Sequence, residues 1–285
     1  MKNKENELDV DNIITKLADF SRFIKQEQKK FAQDIVPIDL THKAYPFAIL
    51  FLADLHIGSI YTDYDEFLAV KSFIQENKDK VFVGLCGDII DNFDNVPGFL
   101  QRVGIDSQVV PPSVQRVIFQ KILKEVKDVT IGYAVGNHEE FSSLEYIFEQ
   151  ACDFPIGLNR LCMKLALPNN ESYIIAMVHK GRFNSYLNPT HTNLRELQKN
   201  YPFANAIVTS HTHFPATHEE LYPSEKGIRP IVFLKCGTIK ELDSYTAKYF
   251  NPYPVGEYSI PALVFTENNV TSYMTYRHLE NIKGF

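Results

Sequence analysis

The sequence has no tryptophan and only four cysteines. Cys86, Cys152, Cys162 and Cys236 are scattered, with no Cys-x-x-Cys spacing. That argues against a disulfide framework and leaves idle thiols in a reducing compartment as the expectation. Long apolar runs are also missing. No stretch approaches the roughly 18 residues that span a bilayer, and "MKNKENELDVDNIITKLADF" lacks the apolar core of a signal peptide. The chain is therefore expected to be soluble and cytoplasmic, with no membrane contact. Excess positive charge is absent too, since the formal net charge is -6. This argues against broad non-specific binding to nucleic-acid phosphates, which needs a basic face. A local basic groove is still possible, and divalent cations would offset part of the charge.

What is present is ordinary for a globular protein: 285 residues, 45% hydrophobic, with 21 Phe and 15 Tyr leading the aromatic core. That length allows one large domain or two small ones. Residues 8–35 show apolar spacing near three and four, at Val10, Ile13, Ile14, Leu17, Phe20, Ile24, Phe31 and Ile35. The pattern predicts an amphipathic helix that Pro37 ends. Residues 1–40 read as a helical extension and 45–285 as the main domain. The extension could pack on its own domain, or could dock a partner or a second copy.

From Phe47 the rhythm changes. "PFAILFLAD", "KVFVGLCGD", "VTIGYAVGN", "SYIIAMVHK" and "NAIVTSHTH" are short apolar runs, the pattern of strands buried on both faces. Helical patterns sit between them at 64–77, 113–127, 143–151 and 192–200. Further strands with a hairpin turn near Asn268 and Asn269 close the chain. Residues 92–113 carry several Pro and Gly and little periodicity, as lids and binding loops do.

Each of the five runs delivers an Asp, Asn or His at its carboxyl end, where ligands gather in α/β sheets. The residues are Asp54 and His56, Asp88 and Asp91, Asn137 and His138, His179, and His211 with His213. In D-x-H or H-x-H on extended chain, residues i and i+2 point the same way and can face one ion. The set suffices for two ions if one carboxylate bridges them. Mixed oxygen and nitrogen donors suit Mn, Fe or Zn, and not a thiolate-seeking site.

The ordered motifs D-x-H, G-D-x-x-D, G-N-H-E, H and H-x-H, running from Asp54 to His213, resemble the calcineurin-like metallophosphoesterase superfamily. The resemblance implies an α/β fold, a two-sheet β-sandwich flanked by helices in four layers. It implies a hydrolase in which Asp54, His56, Asp88 and His213 hold one divalent ion. Asp88, Asn137, His179 and His211 would hold the second, with Asp88 bridging. Mn2+ is the first expectation, with Fe, Zn or Mg as alternatives. The nucleophile would be a water whose pKa the ions lower. His138 would be the general acid, oriented and kept protonated by the Asp91 carboxylate.

The chain departs from the family pattern at two places. Ser210 stands where Gly usually precedes H-x-H, and "VHKG" replaces the Gly-His common in phosphatases. Both bear on the substrate rather than on the ligands. "LADLHIGS" looks like the opening motif of the superfamily's strand-break-repair nucleases. Asn92 and Phe93 come after G-D-x-x-D, where phosphoprotein phosphatases carry Arg and Gly. The expected substrate is thus a phosphodiester, with DNA, RNA or a cyclic nucleotide as candidates. The alternatives are a phosphomonoesterase or protein phosphatase, or a non-catalytic scaffold subunit that keeps the fold.

Arg182 and Asn184 could bind the substrate phosphate. The stretch 179–198 resembles phosphoesterases of bacteriophage genomes. His42, His191 and His218 read as solvated or capping residues. Thr190 or Thr192 reads as a helix N-cap. Glu139 is expected on a solvated loop, with an outer-shell hydrogen bond as the alternative, and Glu140 is expected to be ordinary.

Overall fold

The computed structural model describes residues 14–16, 18–19, 21–22, 35–94, 107–142, 147, 154–182, 185, 187–224, 227–241, 258–282 and 284–285. The chain divides into two units, Met1–Asp34 and Ile35–Phe285. In the first, residues 14–16, 18–19 and 21–22 are helical, in keeping with the apolar spacing. The rest of the expected helix up to Asp34 lies outside the described residues. Ile35 itself departs from the expectation. It opens strand β1 (Ile35–Asp39), which pairs in parallel with β6 (Arg160–Ala166). β1 is an edge strand, where Pro37 withholds a donor at no cost to the ladder.

The second unit holds two six-stranded sheets. In one, β2 (Phe47–Leu52), β3 (Val81–Leu85), β4 (Thr130–Val135) and β5 (Ile156–Leu158) run parallel. The antiparallel hairpin β11 (Ala262–Phe265) and β12 (Val270–Tyr273) extends it beside β2, turning at the expected Asn268 and Asn269. The other has the order β1-β6-β7-β8-β10-β9, with β7 (Ser172–Val178), β8 (Ala206–Thr209), β9 (Ala216–Ser224) and β10 (Gly227–Lys235).

Alternation along β2 explains the layers. Phe47, Ile49 and Phe51 point to a core shared with Met163, Ile175 and Met177 of the facing sheet. Ala48, Leu50 and Leu52 point the other way, toward helices α1 (Tyr64–Glu76) and α2 (Pro112–Val126), where Phe73, Phe119 and Leu123 cover them. On the far side of the second sheet, α3 (His191–Lys199) buries Leu197 against Ala176, Val178 and Ile207. The result is the expected four-layer sandwich, helix–sheet–sheet–helix. Because β2 has one core on each face, its run reads as continuously apolar.

One buried polar clasp fixes α3. Asn193 Nδ2 donates to the carbonyls of Ile207 (2.8 Å) and Leu234 (2.7 Å), and its Oδ1 accepts from Thr209 Oγ1 (3.0 Å). Of the helix expected at 143–151, only Ile147 is described, and it is helical and buried. Cys86, Cys162 and Cys236 are free and buried. No helix among the described residues is long and apolar enough to cross a membrane.

Candidate metal centre

The loops leaving β2, β3, β4, β7 and β8 bring all seven expected ligands together. Their backbone is not the extended chain that the i, i+2 argument assumed. Asp54, His56, Asp88, His211 and His213 all have left-handed backbones, with φ between 47° and 73°. Asp and His tolerate this region better than most residues, yet each instance costs about 1 kcal/mol or more. Five such residues around one point mark a place where the fold holds strain for function.

Gly87 and Gly136 let the loops after β3 and β4 approach. A Cβ on Gly87 would fall 2.7 Å from Gly136 Cα and collide with the His179 ring. A Cβ on Gly136 would meet the Asp88 carboxylate and lie 2.7 Å from Glu139 Oε2. Any larger residue at either position would push the ligands apart.

Two clusters share this floor. In the first, His56 Nε2 lies 3.0 Å from His213 Nε2, and His213 Nε2 lies 3.6 Å from Asp54 Oδ1. His56 Nδ1 sits 3.0 Å from Asp91 Oδ1, which assigns the ring proton to Nδ1. The His56 Nε2 lone pair then faces His213, and two imidazole nitrogens this close need a proton or a cation between them. In the second cluster, His179 Nε2 is 3.1 Å from both Asp88 Oδ2 and Asn137 Oδ1. His211 Nδ1 lies 3.9 Å from the same Asp88 oxygen. His179 Nδ1 is held by the Cys86 carbonyl at 2.9 Å and by Ser210 Oγ at 3.0 Å. That leaves Nε2 to face the cluster. The groups Asp54–His56–His213 and Asp88–His179–His211 each keep their ligand atoms within 4.8 Å of one another.

The donor chemistry fits a pair of divalent ions. Asp54 Oδ1 and His211 Nδ1 are buried with no hydrogen-bond partner, which is costly for a polar atom unless a cation takes its lone pair. The electrostatics agree. Burial pushes the Asp54 carboxyl well above the ordinary range, and the nearby Asp88 charge adds to this although His179 opposes it. Burial also opposes a charge on Asp88, but the charges of His179 and His138 outweigh it and hold this carboxyl well below its usual value. His179 answers in kind. Burial works against its protonation, yet the Asp88 carboxylate lifts it to about 10. Burial lowers His211 and His213 from the ordinary imidazole value, which favours the neutral form that binds metal.

His138 lies between the clusters, partly open to solvent, with its ring centroid 4.6 Å from that of His56. Its main-chain N–H donates to Asp88 Oδ1 at 2.9 Å, and its ring Nδ1 donates to the main-chain carbonyl of Asp91 at 2.6 Å. Its Nε2 is 3.9 Å from Asp88 Oδ2. The expected carboxylate–imidazole pair is therefore divided differently. The Asp91 carbonyl orients His138, and the Asp91 carboxylate orients His56 instead.

A family model described as calcineurin-like phosphoesterase matches residues 47–215, more than half of the chain and every one of these ligands. The chain belongs to the calcineurin-like phosphoesterase family. Membership supports metal-dependent hydrolysis of phosphoesters in general. No curated protein matches this sequence. Among solved structures it is similar to a conserved protein from Streptococcus pneumoniae titled a predicted phosphoesterase, at 14% identity and TM-score 0.41, covering 80% of this chain and 87% of that one. It is similar to Vacuolar Protein Sorting 29 from Cryptosporidium parvum at 13% identity and TM-score 0.44, covering 81% and 97%. A putative 5'-nucleotidase from Staphylococcus aureus matches at 12% identity and TM-score 0.43, covering 80% and 53%.

Some residues of the chain depart from the expectations and others keep to them. Glu139 is fully buried, not on a solvated loop. Its carboxylate accepts the main-chain N–H groups of Gly136 (2.9 Å), Asp88 (2.9 Å), Ile89 (2.7 Å) and Ile90 (3.4 Å). Burial decides the correction, because those four donors have no water to satisfy them. Glu140, read as ordinary, is exposed. Lys240 bears no mark in the sequence. Its ammonium lies 3.6 Å from Asp91 Oδ1, a contact across 149 positions that no local pattern signals. Ser210 also proves to be part of the frame, donating to the Cys86 carbonyl at 2.6 Å. Thr190 occupies the N-cap position of α3 without a side-chain capping bond. His191 opens that helix and accepts from Arg195 Nε at 3.2 Å. His42 and His218 are exposed, as expected of solvated residues, and the His218 ring lies over Phe233 with centroids 6.3 Å apart. Arg182 is exposed on the loop after β7. Asn184 and the middle of the 92–113 loop lie outside the described residues.

Proposed function

We propose that this protein hydrolyses a phosphodiester with two divalent metal ions, Mn2+ first among them. The observation that carries the reading is Asp88. Its carboxylate is shared by His179, His211 and His138 within 3.9 Å, next to a second cluster built on Asp54, His56 and His213. Asp54, His56, Asp88 and His213 would hold one ion, and Asp88, Asn137, His179 and His211 the other. When bound, such ions supply charge neutralisation at phosphoryl oxygens and an activated water.

The chain's own residues do the rest. His138 keeps its Nδ1 proton on the Asp91 carbonyl, so only Nε2–H can be given to the leaving oxygen. Donation leaves a neutral ring that keeps the same Nδ1–H bond to the Asp91 carbonyl. The buried floor of Asp54, His56, Asp88 and His179 excludes bulk water beneath the phosphoryl group.

The residues after Asp91 favour a diester over a monoester. A monoester dianion calls for an additional cation. The nearby guanidinium of Arg116 is engaged instead with Asn92 Oδ1 (3.1 Å) and Asp94 Oδ2 (2.9 Å). Asn92 itself donates to the His138 carbonyl at 2.7 Å. A panel of single-stranded DNA, duplex DNA, RNA, a cyclic nucleotide and a phosphomonoester with Mn2+ tests the reading. Diesters should turn over with the higher kcat/KM, and a consistent preference for the monoester would overturn the diester assignment.

A further inference from the structure

The mechanism leaves one group of side chains beside His138 without a role. The ring of Phe93, two residues past Asp91, meets the His138 ring edge-on, with centroids 4.9 Å apart and planes at 77°. Phe141 approaches the same imidazole from the following loop at 4.9 Å and 48°. The two phenyl rings stack on each other at 5.8 Å and 30°. Both are only half-buried, so part of this aromatic surface faces solvent next to the candidate acid.

The segments that carry them are fixed in place. Asn92 has a left-handed backbone, φ 39°. Its Nδ2 donates to the His138 carbonyl and, at 3.0 Å, to Ser142 Oγ. Its main-chain N–H donates to Gln115 Oε1 at 2.7 Å. One residue thus ties the loop bearing Phe93 to the loop bearing Phe141 and anchors both to α2. An aromatic surface set this firmly beside a reacting centre is preorganised for a flat ligand.

We propose that Phe93 and Phe141 form the leaving-group subsite and that it takes the base of a nucleoside. This rests on the phosphodiesterase reading above. In that reaction a water oxygen bonds to phosphorus as the phosphorus–leaving-oxygen bond breaks. The water's proton goes to solvent, and the His138 Nε2 proton ends on the leaving oxygen. Whatever that oxygen carries must lie on the His138 side of the phosphate. Among the described residues, the ring surface available there is that of Phe93 and Phe141. A base offers a π face to a phenyl ring whatever its sequence identity, with a worth of about 1–3 kcal/mol per stacked base. A nucleoside combines that flat face with an ester oxygen a few bonds away, as the subsite requires.

Calorimetry on the metal-loaded protein with adenosine 5'-monophosphate and with ribose 5-phosphate isolates the base, since both ligands carry the same phosphate and sugar. The nucleotide should bind about tenfold or more tighter. That ratio should fall toward one in Phe93→Ala and in Phe141→Ala, and should survive in Phe93→Tyr, which keeps a π face. Phe93→Leu keeps apolar packing against His138 and removes the π face, so it reads the subsite even if the alanine variant folds poorly. Its ratio should fall as well. Equal binding of the two ligands by the wild type, or an unchanged ratio in both alanine variants and in Phe93→Leu, would overturn the subsite and leave the phosphoesterase reading standing. Failure of both ligands to bind would overturn the two together. A single-stranded octanucleotide run alongside tells a small nucleotide ligand from a strand end, and base-dependent binding of either satisfies the proposal.

Discussion

Glu139 Oε2 accepts the main-chain N–H of Asp88 at 2.9 Å, so a buried acid holds the residue whose carboxylate faces His179 and His211. The same oxygen takes the N–H of Gly136, and Oε1 takes those of Ile89 and Ile90. One side chain therefore clamps the loop after β3 to the loop after β4 and keeps Asp88 in its left-handed backbone. Glu139→Ala would leave buried donors unpaired, at about 1–3 kcal/mol each. The expected loss is about 3 kcal/mol or more of stability, read from the denaturant midpoint of the metal-free protein, with weaker metal binding in calorimetry. A change under about 1 kcal/mol would be at odds with the clamp.

His179 sets the pH behaviour. Burial opposes its charge, but Asp88 raises it to about 10 from an ordinary 6.5. A raised imidazole adds stability that is complete below 6.5 and lost as pH climbs through about 10. The metal-free protein should therefore lose thermal stability between those limits. A metal needs the Nε2 lone pair, so binding must expel that proton, and apparent affinity should rise across the same window. Titration at pH 8 in two buffers of different ionisation enthalpy should report release of about one proton or more. No proton release would contradict the His179–Asp88 pair.

Asp91 and His138 separate experimentally. Asp91 Oδ1 orients His56, so Asp91→Asn should cost about ten- to a hundredfold in affinity for the first ion. His138→Ala removes none of the expected ligands and keeps the main-chain N–H that donates to Asp88 Oδ1. It should keep metal content while turnover falls about 10²–10⁴-fold. Metal analysis beside initial rates distinguishes the two, and equal metal loss in both variants would undo the division of labour.

Asn193 tests the frame rather than the chemistry. Its amide is fully buried and bonds β8, β10 and Thr209 at once. Asn193→Ala should destabilise by about 2–4 kcal/mol through the unpaired carbonyls and the cavity. Full metal loading at low temperature should restore the wild-type rate, because α3 supplies no ligand.

The parts of the protein legible in sequence are those with a chemical mark. β2, β3, β4, β7 and β8 announce themselves because each is buried on both faces and ends in a donor residue. β5 and β6 carry no such ending. β6 instead alternates, with Leu161, Met163 and Leu165 on the inter-sheet core and Lys164 exposed, a weaker signal than a continuous apolar run. β1 is hidden because Ile35 also fits the helical spacing before it. The candidate ligands can be read from motif order, whereas their left-handed backbones cannot. Tertiary closure imposes those, and it also explains Glu139 and Lys240. An acid one position after His138 looks solvated until the loop of Asp88 folds over it.

The joining of the two clusters by Asp88 into one hydrolytic site is the proposal on which the other roles depend. It is tested most directly by the initial rate of bis(p-nitrophenyl) phosphate hydrolysis, measured on wild type and Asp88→Asn, each stripped with chelator and then reloaded with Mn2+. The stripped wild type should show no turnover and should recover fully on reloading. Asp88→Asn, its folding checked by circular dichroism, should show no recovery. Turnover that persists in excess chelator, or an Asp88→Asn rate close to wild type, would contradict the proposal.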